Sequence, residues 1–169
     1  MKVLVVVDMQ YDFINGSLGS PEAISIVSNV INKIKEFNNN NDEIIYTKDT
    51  HYDNYLNTLE GKNLPVEHCI KNTNGWNIPD EIYLKDKIVL EKETFGSLKL
   101  VEYLKTIKFD EIHFIGLCTD ICVVSNVLLT KAAFPNIPII VDSSCCAGVT
   151  VKSHQEALNT MKMCQIDVI

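Results

Sequence analysis

The sequence has little positive charge and no long hydrophobic run, and each absence argues against a class of partner. Lysine and arginine together number 15 against 22 aspartates and glutamates, which gives a formal net charge of −7. Nucleic-acid binding draws its affinity from clustered basic side chains, so no nucleic-acid partner is expected. No apolar stretch approaches the roughly 20 residues that a membrane span requires, so no membrane partner is expected either.

An export signal and a disulfide framework are also missing. The apolar run 3–7 ends at Asp8 and is too short for the core of a signal peptide. The six cysteines include no Cys-x-x-Cys pair and no spacing typical of a disulfide-stapled domain. We therefore expect a cytoplasmic protein whose cysteines are reduced. A chain of 169 residues can bury a sizeable core, and we expect one domain over residues 1–169.

Short apolar segments alternate with segments of helical periodicity along the chain. The predicted strands are Val3–Val7, Glu43–Thr47, Lys87–Leu90, Glu111–Ile115, Pro138–Val141 and Ile166–Ile169. The predicted helices are one that begins at Ser20-Pro21 and ends before Asn38–Asn41, then Leu98–Ile107, Asp120–Phe134 and Lys152–Cys164. Wholly apolar strands that alternate with helices are typical of a parallel sheet, because helices then cover both of its faces. The sequence therefore predicts an α/β fold with one parallel sheet flanked by helices on both faces.

One segment, residues 48–86, interrupts this alternation and shows no convincing strand or helix. A connection of this length is usually either functional or disordered, and its aromatic and apolar content argues against disorder. It contains His51, His68 and the only tryptophan, Trp76. We expect an ordered excursion across the carboxyl ends of the strands, where open α/β sheets bind their ligands.

Four chemically active side chains follow predicted strands. Asp8, Asp49 and Lys92 each come after a strand-like run, and Cys122 follows the turn after a fourth. In a parallel sheet these positions meet at one edge, although each alone could be a polar residue where a strand reaches water. Cys122 falls in the first turn of a predicted helix, where backbone N–H groups favour a thiolate; the alternative is an ordinary core thiol. With Lys92 lowering the thiol pKa and Asp8 accepting its proton, the three supply a nucleophile, a cation and a base.

A second group of candidate residues lies in the long segment. Asp49 and His51 point the same way in an extended chain, and Glu60 and His68 follow them. Two imidazoles with carboxylates suit Zn²⁺, Fe²⁺ or Mn²⁺. On spacing alone the signal is weak, since Asp-x-His occurs freely and His68 could be an ordinary hydrogen-bonded loop residue.

Three segments together resemble the signatures of the isochorismatase-like cysteine hydrolases. They are Val-Val-Val-Asp8-Met-Gln-Tyr-Asp-Phe13, Lys92-Glu-Thr-Phe95 and Gly116-Leu-Cys-Thr-Asp-Ile-Cys122-Val. Thr47-Lys-Asp49-Thr-His51, taken with His68-Cys69, is similar to the metal motif of the nicotinamidase branch of that family. The resemblance runs from residue 3 to about residue 150 and implies a parallel α/β sheet of Rossmann-like order.

This resemblance implies covalent hydrolysis of an amide, with nicotinamide as the expected substrate in NAD salvage. Asp8, Lys92 and Cys122 would be the catalytic triad: the Cys122 thiolate attacks the amide carbonyl to form a thioester. Asp8 passes the thiol proton to the leaving ammonia, and water then hydrolyses the thioester. The backbone N–H groups of Cys118 and Cys122 would form the oxyanion hole, beside a cis peptide expected at Leu117–Cys118.

The resemblance also implies a cofactor and an assembly. Asp49, His51 and His68 match the ligands of one divalent transition metal, with zinc expected before iron or manganese. Glu60 fits the extra carboxylate ligand of some members, although it could equally be a solvated loop charge. In nicotinamidases this metal binds the pyridine nitrogen of the substrate. Because family members often form dimers or tetramers, a homo-oligomer is expected here.

The sequence departs from nicotinamidases at two places that concern the substrate. Those enzymes commonly have Trp-Pro-x-His before the last metal ligand, and the tryptophan walls the substrate, whereas this chain has Leu64-Pro-Val-Glu-His68. The wall is then absent or supplied by another residue such as Trp76. The lysine motif ends in Phe95-Gly-Ser rather than Tyr-Ser-Ala-Phe, which leaves Phe95 and Phe13 as the expected ring contacts.

These departures keep other functions open. A second enzyme hypothesis has the same thiol chemistry acting on another small amide or a carbamoyl compound. Isochorismate hydrolysis itself is disfavoured, because enzymes with that activity lack the nucleophilic cysteine. An inactive binding module is the hypothesis from a different class, and the intact Asp8, Lys92 and Cys122 argue against it.

Overall fold

Six parallel strands form one sheet in the computed structural model, which describes all 169 residues. The strands are β1 (Lys2–Val7), β2 (Glu43–Asp49), β3 (Ile88–Lys92), β4 (Glu111–Leu117), β5 (Ile139–Ala147) and β6 (Asp167–Val168). Their order across the sheet is β3-β2-β1-β4-β5-β6, and every neighbouring pair is parallel. The chain adds β2 and β3 on one side of β1 and returns to place β4 on the other. A topological switch point therefore lies between the carboxyl ends of β1 and β4, where open α/β sheets bind ligands.

Helices cover both faces of this sheet. They are α1 (Tyr11–Ile14), α2 (Pro21–Ser25), α3 (Val27–Asn39), α4 (Leu59–Asn63), α5 (Leu98–Leu104), α6 (Val124–Ala133) and α7 (Val151–Met163). The buried side chains form two clusters, one with α1, α2 and α3 and the other with α5, α6 and α7. Alternation along β1 sends Leu4 and Val6 to the first cluster and Val5 to the second. The predicted α/β fold with helices on both faces is thus confirmed. No helix is long and apolar enough to cross a membrane.

Two predicted helices differ from the observed ones. The helix predicted from Ser20-Pro21 onward is interrupted at Ile26, which separates α2 from α3. Ser20 caps α2 as its sequence indicates, by accepting a hydrogen bond from the Ala23 N–H. The helix predicted over Asp120–Phe134 begins instead with one π-helical turn, Thr119–Val123, which precedes α6.

The predicted strand at 138–141 falls furthest short of the observed one. β5 continues to Ala147 rather than ending at Val141, because it pairs with β4 again at Cys146 and Ala147 after a register shift between Phe114 and Gly116. The polar stretch 142–144 lies at this shift and conceals the extension in the sequence.

The long segment that follows β2 crosses the carboxyl ends of the strands. It contains one 3₁₀ turn, Tyr55–Asn57, and the short helix α4 before the chain enters β3. Backbone hydrogen bonds from the N–H groups of Tyr11 and Asp12 to residues 77 and 75 fasten its second half to α1. The segment therefore forms one wall above the strand ends.

Candidate active site

The carboxyl ends of four strands bring Asp8, Asp49, Lys92 and Cys122 together. Asp8 follows β1, Asp49 and Lys92 end β2 and β3, and Cys122 lies in the π-helical turn after β4. Lys92 Nζ lies 2.7 Å from Asp8 Oδ2, 3.0 Å from Asp49 Oδ1 and 3.6 Å from Cys122 Sγ. All four side chains are buried. The three residues of the predicted triad are thus in mutual reach, and Asp49 is a fourth member of the cluster.

A close approach between β1 and β4 places the cysteine turn beside Asp8. Gly116 has a φ of +118°, and a Cβ at this position would collide with the Val7 backbone, so only glycine fits. The cis peptide expected between Leu117 and Cys118 is present directly after it. This local geometry turns the chain from β4 into the segment that carries Cys122.

Burial controls the protonation of the triad. It raises the pKa of the Cys122 thiol well above the usual value, and the nearby Lys92 ammonium only partly opposes it. Burial likewise raises the pKa of Asp8. Burial alone would lower the pKa of Lys92, but the carboxylate of Asp8 and the cluster around it hold that pKa well above its usual value. This direction is opposite to the lowered thiol pKa that the sequence led us to expect, because the sequence does not reveal how deeply Cys122 is buried.

The four predicted metal ligands also come together, next to the triad. Asp49, His51, Glu60 and His68 each offer one ligand atom, and these four atoms all lie within 4.8 Å of one another. Asp49 Oδ2 lies 2.9 Å from His51 Nε2 and 3.6 Å from His68 Nε2. Glu60 Oε1 lies 3.6 and 3.7 Å from the same two nitrogens. Glu60 is partly buried and the other three are buried. Because its carboxylate lies this close to both histidines, the structure places Glu60 in the cluster.

The chemistry of this donor set fits a divalent transition metal. His68 Nδ1 lies 2.8 Å from the Val66 carbonyl oxygen, which holds a proton on Nδ1 and leaves Nε2 free to face the carboxylates. Burial would favour the neutral acid of Asp49, but the hydrogen bond with His51 and the nearby His68 and Lys92 keep its pKa well below the usual range. Two imidazole nitrogens and two carboxylate oxygens are a mixed set that Zn²⁺, Fe²⁺ and Mn²⁺ accept. Asp49 joins the two groups, since Oδ1 contacts Lys92 and Oδ2 faces the histidines.

A cavity of about 530 Å³ opens onto both groups. Cys118 and Cys122, whose backbone N–H groups are the predicted oxyanion hole, line one side of it. Phe13 and Phe95, the predicted ring contacts, also line it, and the Phe13 ring lies 5.5 Å from that of His68. Ten of the 17 lining residues are hydrophobic, so the cavity suits a small molecule with few charges.

Trp76 does not supply the missing aromatic wall. Its ring packs on the Lys48 ammonium, 2.9 Å from the ring centroid, and its Nε1 donates to Thr50 Oγ1 at 2.9 Å. It lines a separate cavity that Cys122 does not border. Leu64 lines the Cys122 cavity and is 39% exposed, so the wall on this side is aliphatic and partly open to solvent.

Sequence reasoning missed two side chains that hold the triad in place. Thr47 Oγ1 donates to Asp8 Oδ1 at 2.7 Å, which fixes the carboxylate beside Lys92. Asn126 is buried, and its Nδ2 donates to the backbone carbonyls of Cys122 (2.8 Å) and Phe95 (3.1 Å). The only sequence signal for Asn126 is its position one helical turn after Cys122.

The whole chain is similar to proteins of one family. The family model of the isochorismatase domain matches residues 2–169. The nicotinamidase of Schizosaccharomyces pombe is 28% identical over an alignment that covers 98% of this chain and 91% of that protein. The crystal structure of the pyrazinamidase of Pyrococcus horikoshii in complex with zinc has a TM-score of 0.88 and 25% identity, and covers 99% of this chain and 98% of that one.

A third similar protein carries a different activity in its name. The N-carbamoylsarcosine amidase of Thermoplasma acidophilum has a TM-score of 0.78 and 26% identity, and the alignment covers 99% of this chain and 94% of that one.

The match of the isochorismatase family model extends over nearly every residue of the chain. It includes the buried thiol, lysine and carboxylates that meet at the switch point of the sheet. The chain therefore belongs to the isochorismatase family.

Proposed function

We propose that the protein is a metal-assisted cysteine amidohydrolase that converts nicotinamide to nicotinate and ammonia. One observation carries this proposal: a buried thiol–lysine–carboxylate group and a four-residue metal-ligand cluster open onto the same cavity and share Asp49. The first group suits attack on an amide carbonyl, and the second suits the ring nitrogen of a pyridine. Similarity to a nicotinamidase and to a zinc-bound pyrazinamidase supports the same substrate class.

In this mechanism Cys122 is the nucleophile and Asp8 moves the proton. Because burial raises the pKa of the thiol, the proton passes to Asp8 as Sγ attacks the carbonyl carbon rather than before. Asp8 then gives the proton to the amide nitrogen, the C–N bond breaks and ammonia leaves. Water attacks the resulting thioester, and Cys122 regains its proton as the acid is released. Lys92 lies close enough to both Asp8 and Sγ to stabilise the negative charge as it moves between them.

The carbonyl oxygen of the substrate becomes negatively charged during both attacks. In this proposal the backbone N–H groups of Cys118 and Cys122 donate hydrogen bonds to it. Both residues border the cavity beside Sγ, in the turn that follows Gly116. One such donor typically accounts for a factor of about 10²–10³ in turnover.

Asp49, His51, His68 and Glu60 would hold one divalent transition metal. We propose zinc, because the similar pyrazinamidase of Pyrococcus horikoshii is in complex with zinc. When bound, the metal supplies a Lewis-acidic position for the ring nitrogen of the substrate. Phe13 beside His68, and Phe95 at the cavity mouth, would hold the aromatic ring flat and keep water away from the carboxamide.

Ammonia release measured across nicotinamide, pyrazinamide and N-carbamoyl amino acids tests the function. We expect release from nicotinamide, which Cys122→Ala should abolish because it removes the thiol that lies beside Lys92. Cys145→Ala is the matched control, since Cys145 is also buried but lies outside the cavity, and it should retain most of the activity. Near-native turnover by a folded Cys122→Ala variant would show that the covalent mechanism is wrong.

The second candidate function is hydrolysis of a carbamoyl compound by the same thiol chemistry. The aliphatic, partly exposed wall at Leu64 favours it, because this wall leaves room for a substrate without an aromatic ring. Similarity to an N-carbamoylsarcosine amidase points the same way. Release of ammonia from N-carbamoyl compounds but not from nicotinamide would select this function, and no release from any compound would favour an inactive binding module.

A further inference from the structure

The side-chain amide of Gln10 binds both polar backbone groups of Asp49. Gln10 is completely buried between the carboxyl ends of β1 and β2. Its Oε1 accepts a hydrogen bond from the Asp49 N–H (2.7 Å), and its Nε2 donates to the Asp49 carbonyl (2.8 Å). The second Nε2 proton reaches the carbonyl of Trp76 at 2.9 Å. One amide thus satisfies three backbone groups and uses both of its donor protons.

Trp76 holds the residues on either side of Asp49. Its indole N–H donates to Thr50 Oγ1, and its ring packs against Lys48 Nζ. Because Gln10 also binds the Trp76 backbone, the same side chain connects this tryptophan to the end of β2. Residues 48–50 are therefore fixed through their backbone and their side chains at once.

Asp12 fixes the backbone directly after His68. Its Oδ2 accepts a hydrogen bond from the N–H of Cys69 at 2.7 Å, directly after the ligand. Cys69 has a φ of +48°, a conformation that non-glycine residues rarely adopt, so this bond stabilises the turn that aims His68. Gly75 packs so closely on the Asp12 carboxylate that a Cβ there would collide with it, and the loop therefore closes around Asp12.

We propose that Gln10 and Asp12 are positioning residues of the metal centre, which they brace by fixing the backbone at Asp49 and His68. Gln10 and Asp12 belong to the short segment that also carries Asp8. One stretch of chain therefore supplies a member of the predicted triad and both positioning residues. Ligands that are held in place before the ion arrives lose less conformational freedom when it binds. The inference rests on the proposed metal site and deepens it.

Cobalt titration tests the inference without reference to any substrate. Full-length protein is treated with a chelator, dialysed and titrated with Co²⁺, whose visible absorption reports both affinity and ligand geometry. We expect Gln10→Ala and Asp12→Ala each to weaken Co²⁺ binding about 10-fold or more and to alter the spectrum, as loss of groups that orient ligands typically does. Asp12→Asn should recover most of the affinity, because its amide oxygen can still accept from the Cys69 N–H.

Tyr46→Phe is the matched control for a purely structural effect. Tyr46 is buried in β2, and its hydroxyl donates to the Ile82 carbonyl and accepts from the Leu84 N–H, away from the metal ligands. Removing this hydroxyl should lower Tm, as Gln10→Ala should, but leave the Co²⁺ affinity and spectrum unchanged. If Tyr46→Phe weakens Co²⁺ binding as much as Gln10→Ala does, the effect is general destabilisation and the inference is wrong.

The outcomes separate this inference from the proposed function. Wild-type protein that binds no Co²⁺ overturns the metal part of the proposed function, and the inference with it. Wild-type binding that is matched by Gln10→Ala and Asp12→Ala overturns the inference alone. If an alanine variant does not fold, Gln10→Glu replaces it: a carboxylate oxygen would face the carbonyl oxygens of Asp49 and Trp76 and should weaken Co²⁺ binding in the same direction.

Discussion

Lys92 is the residue at which the two halves of the site meet. Its ammonium contacts the carboxylates of Asp8 and Asp49 and lies near the Cys122 thiol, in surroundings that exclude water. A buried ammonium group is tolerated when carboxylates pair with it. Without the ammonium group, the two carboxylates that contact it would repel each other. Lys92 therefore has a structural task as well as a chemical one, since its positive charge offsets the repulsion between the carboxylates of Asp8 and Asp49.

Asp142 offers a charged pair outside the site whose pH dependence can be predicted. Its Oδ2 lies 3.0 Å from Lys33 Nζ, and its Oδ1 accepts from the Ser144 hydroxyl at 2.7 Å. Burial alone would raise the pKa of Asp142, but the hydrogen bonds from Ser144 and Lys33 outweigh it and lower the pKa. The unfolded value is about 3.9, so the stabilising contribution is fully present above it and is lost as the pH falls through the folded value.

We expect Asp142→Asn to lower the free energy of unfolding at pH 7 by about 1–3 kcal/mol, because a charged hydrogen bond is lost. The difference from wild type should be constant above about pH 4 and should shrink as the pH falls below the unfolded value of about 3.9 and through the lowered pKa of folded Asp142, where the wild-type carboxyl group also becomes neutral. Urea denaturation at several pH values measures it. Asp53→Asn, at an exposed aspartate without an ion pair, is the control and should show a small difference at every pH. A difference for Asp142→Asn that stays constant with pH would contradict the assignment.

Helix α7 supports the nucleophile turn from behind. Thr119 Oγ1 lies 2.8 Å from His154 Nδ1, and the Asp120 carboxylate accepts a hydrogen bond from the Val149 N–H just before the helix. The helix begins with a capping box in which Thr150 and Ser153 bond each other's backbone N–H groups. The start of α7 and the turn that carries the nucleophile are therefore held as one unit.

Removal of the cap should destabilise this unit. We expect Thr150→Ala to lower the free energy of unfolding by about 1 kcal/mol, because a helix N-terminal N–H loses its acceptor. Thr160→Ala is the matched control in the same helix: its hydroxyl bonds only the Glu156 carbonyl, and alanine has the higher helix propensity, so the change should be within about 0.5 kcal/mol. Urea denaturation of both variants measures the difference. Equal losses would mean that the cap contributes nothing specific.

The elements that the sequence predicts best are those whose burial leaves a periodic pattern. β1 is apolar from Val3 to Val7 because both of its faces are covered there, and its predicted bounds differ from the observed ones only by Lys2. The break at Ile26 carries no such pattern, since the apolar spacing continues through it from α2 into α3. Within the polar stretch 142–144 of β5, Asp142 pairs with Lys33 on α3, a long-range contact that the local sequence does not show.

At the scale of the whole molecule, the triad follows from topology and the metal cluster does not. A parallel sheet brings the ends of its strands to one edge, which is enough to predict that Asp8, Lys92 and Cys122 meet. The path of the long segment depends instead on buried hydrogen bonds such as those of Gln10 and Asp12, which have no periodic signal. The metal ligands therefore leave only a weak spacing signal, which the family resemblance strengthens, and no sequence signal indicates that Gln10 and Asp12 position them.

The metal cluster joins three parts of the chain, so metal binding should stabilise the whole molecule. Asp49 ends β2, Glu60 lies in α4, and His68 precedes the turn held by Asp12. Without a cation, burial and the neighbouring Asp49 carboxylate raise the pKa of Glu60, so the two acids oppose each other. A ligand that binds only the folded state stabilises it by about 2.7 kcal/mol at 100 times its Kd.

We expect zinc added to chelator-treated protein to raise Tm in proportion to the logarithm of its concentration, whereas magnesium at equal concentration should not, because imidazole ligands do not suit it. His51→Ala should lose the zinc effect, since it removes one of two nitrogen ligands. Cys122→Ala should retain it, because the thiol is not among the ligands. Calorimetry of the three proteins with and without zinc measures these shifts. A Tm that does not respond to zinc, or an equal response in the His51→Ala variant, would place the metal elsewhere or nowhere and leave the two histidines as ordinary loop residues.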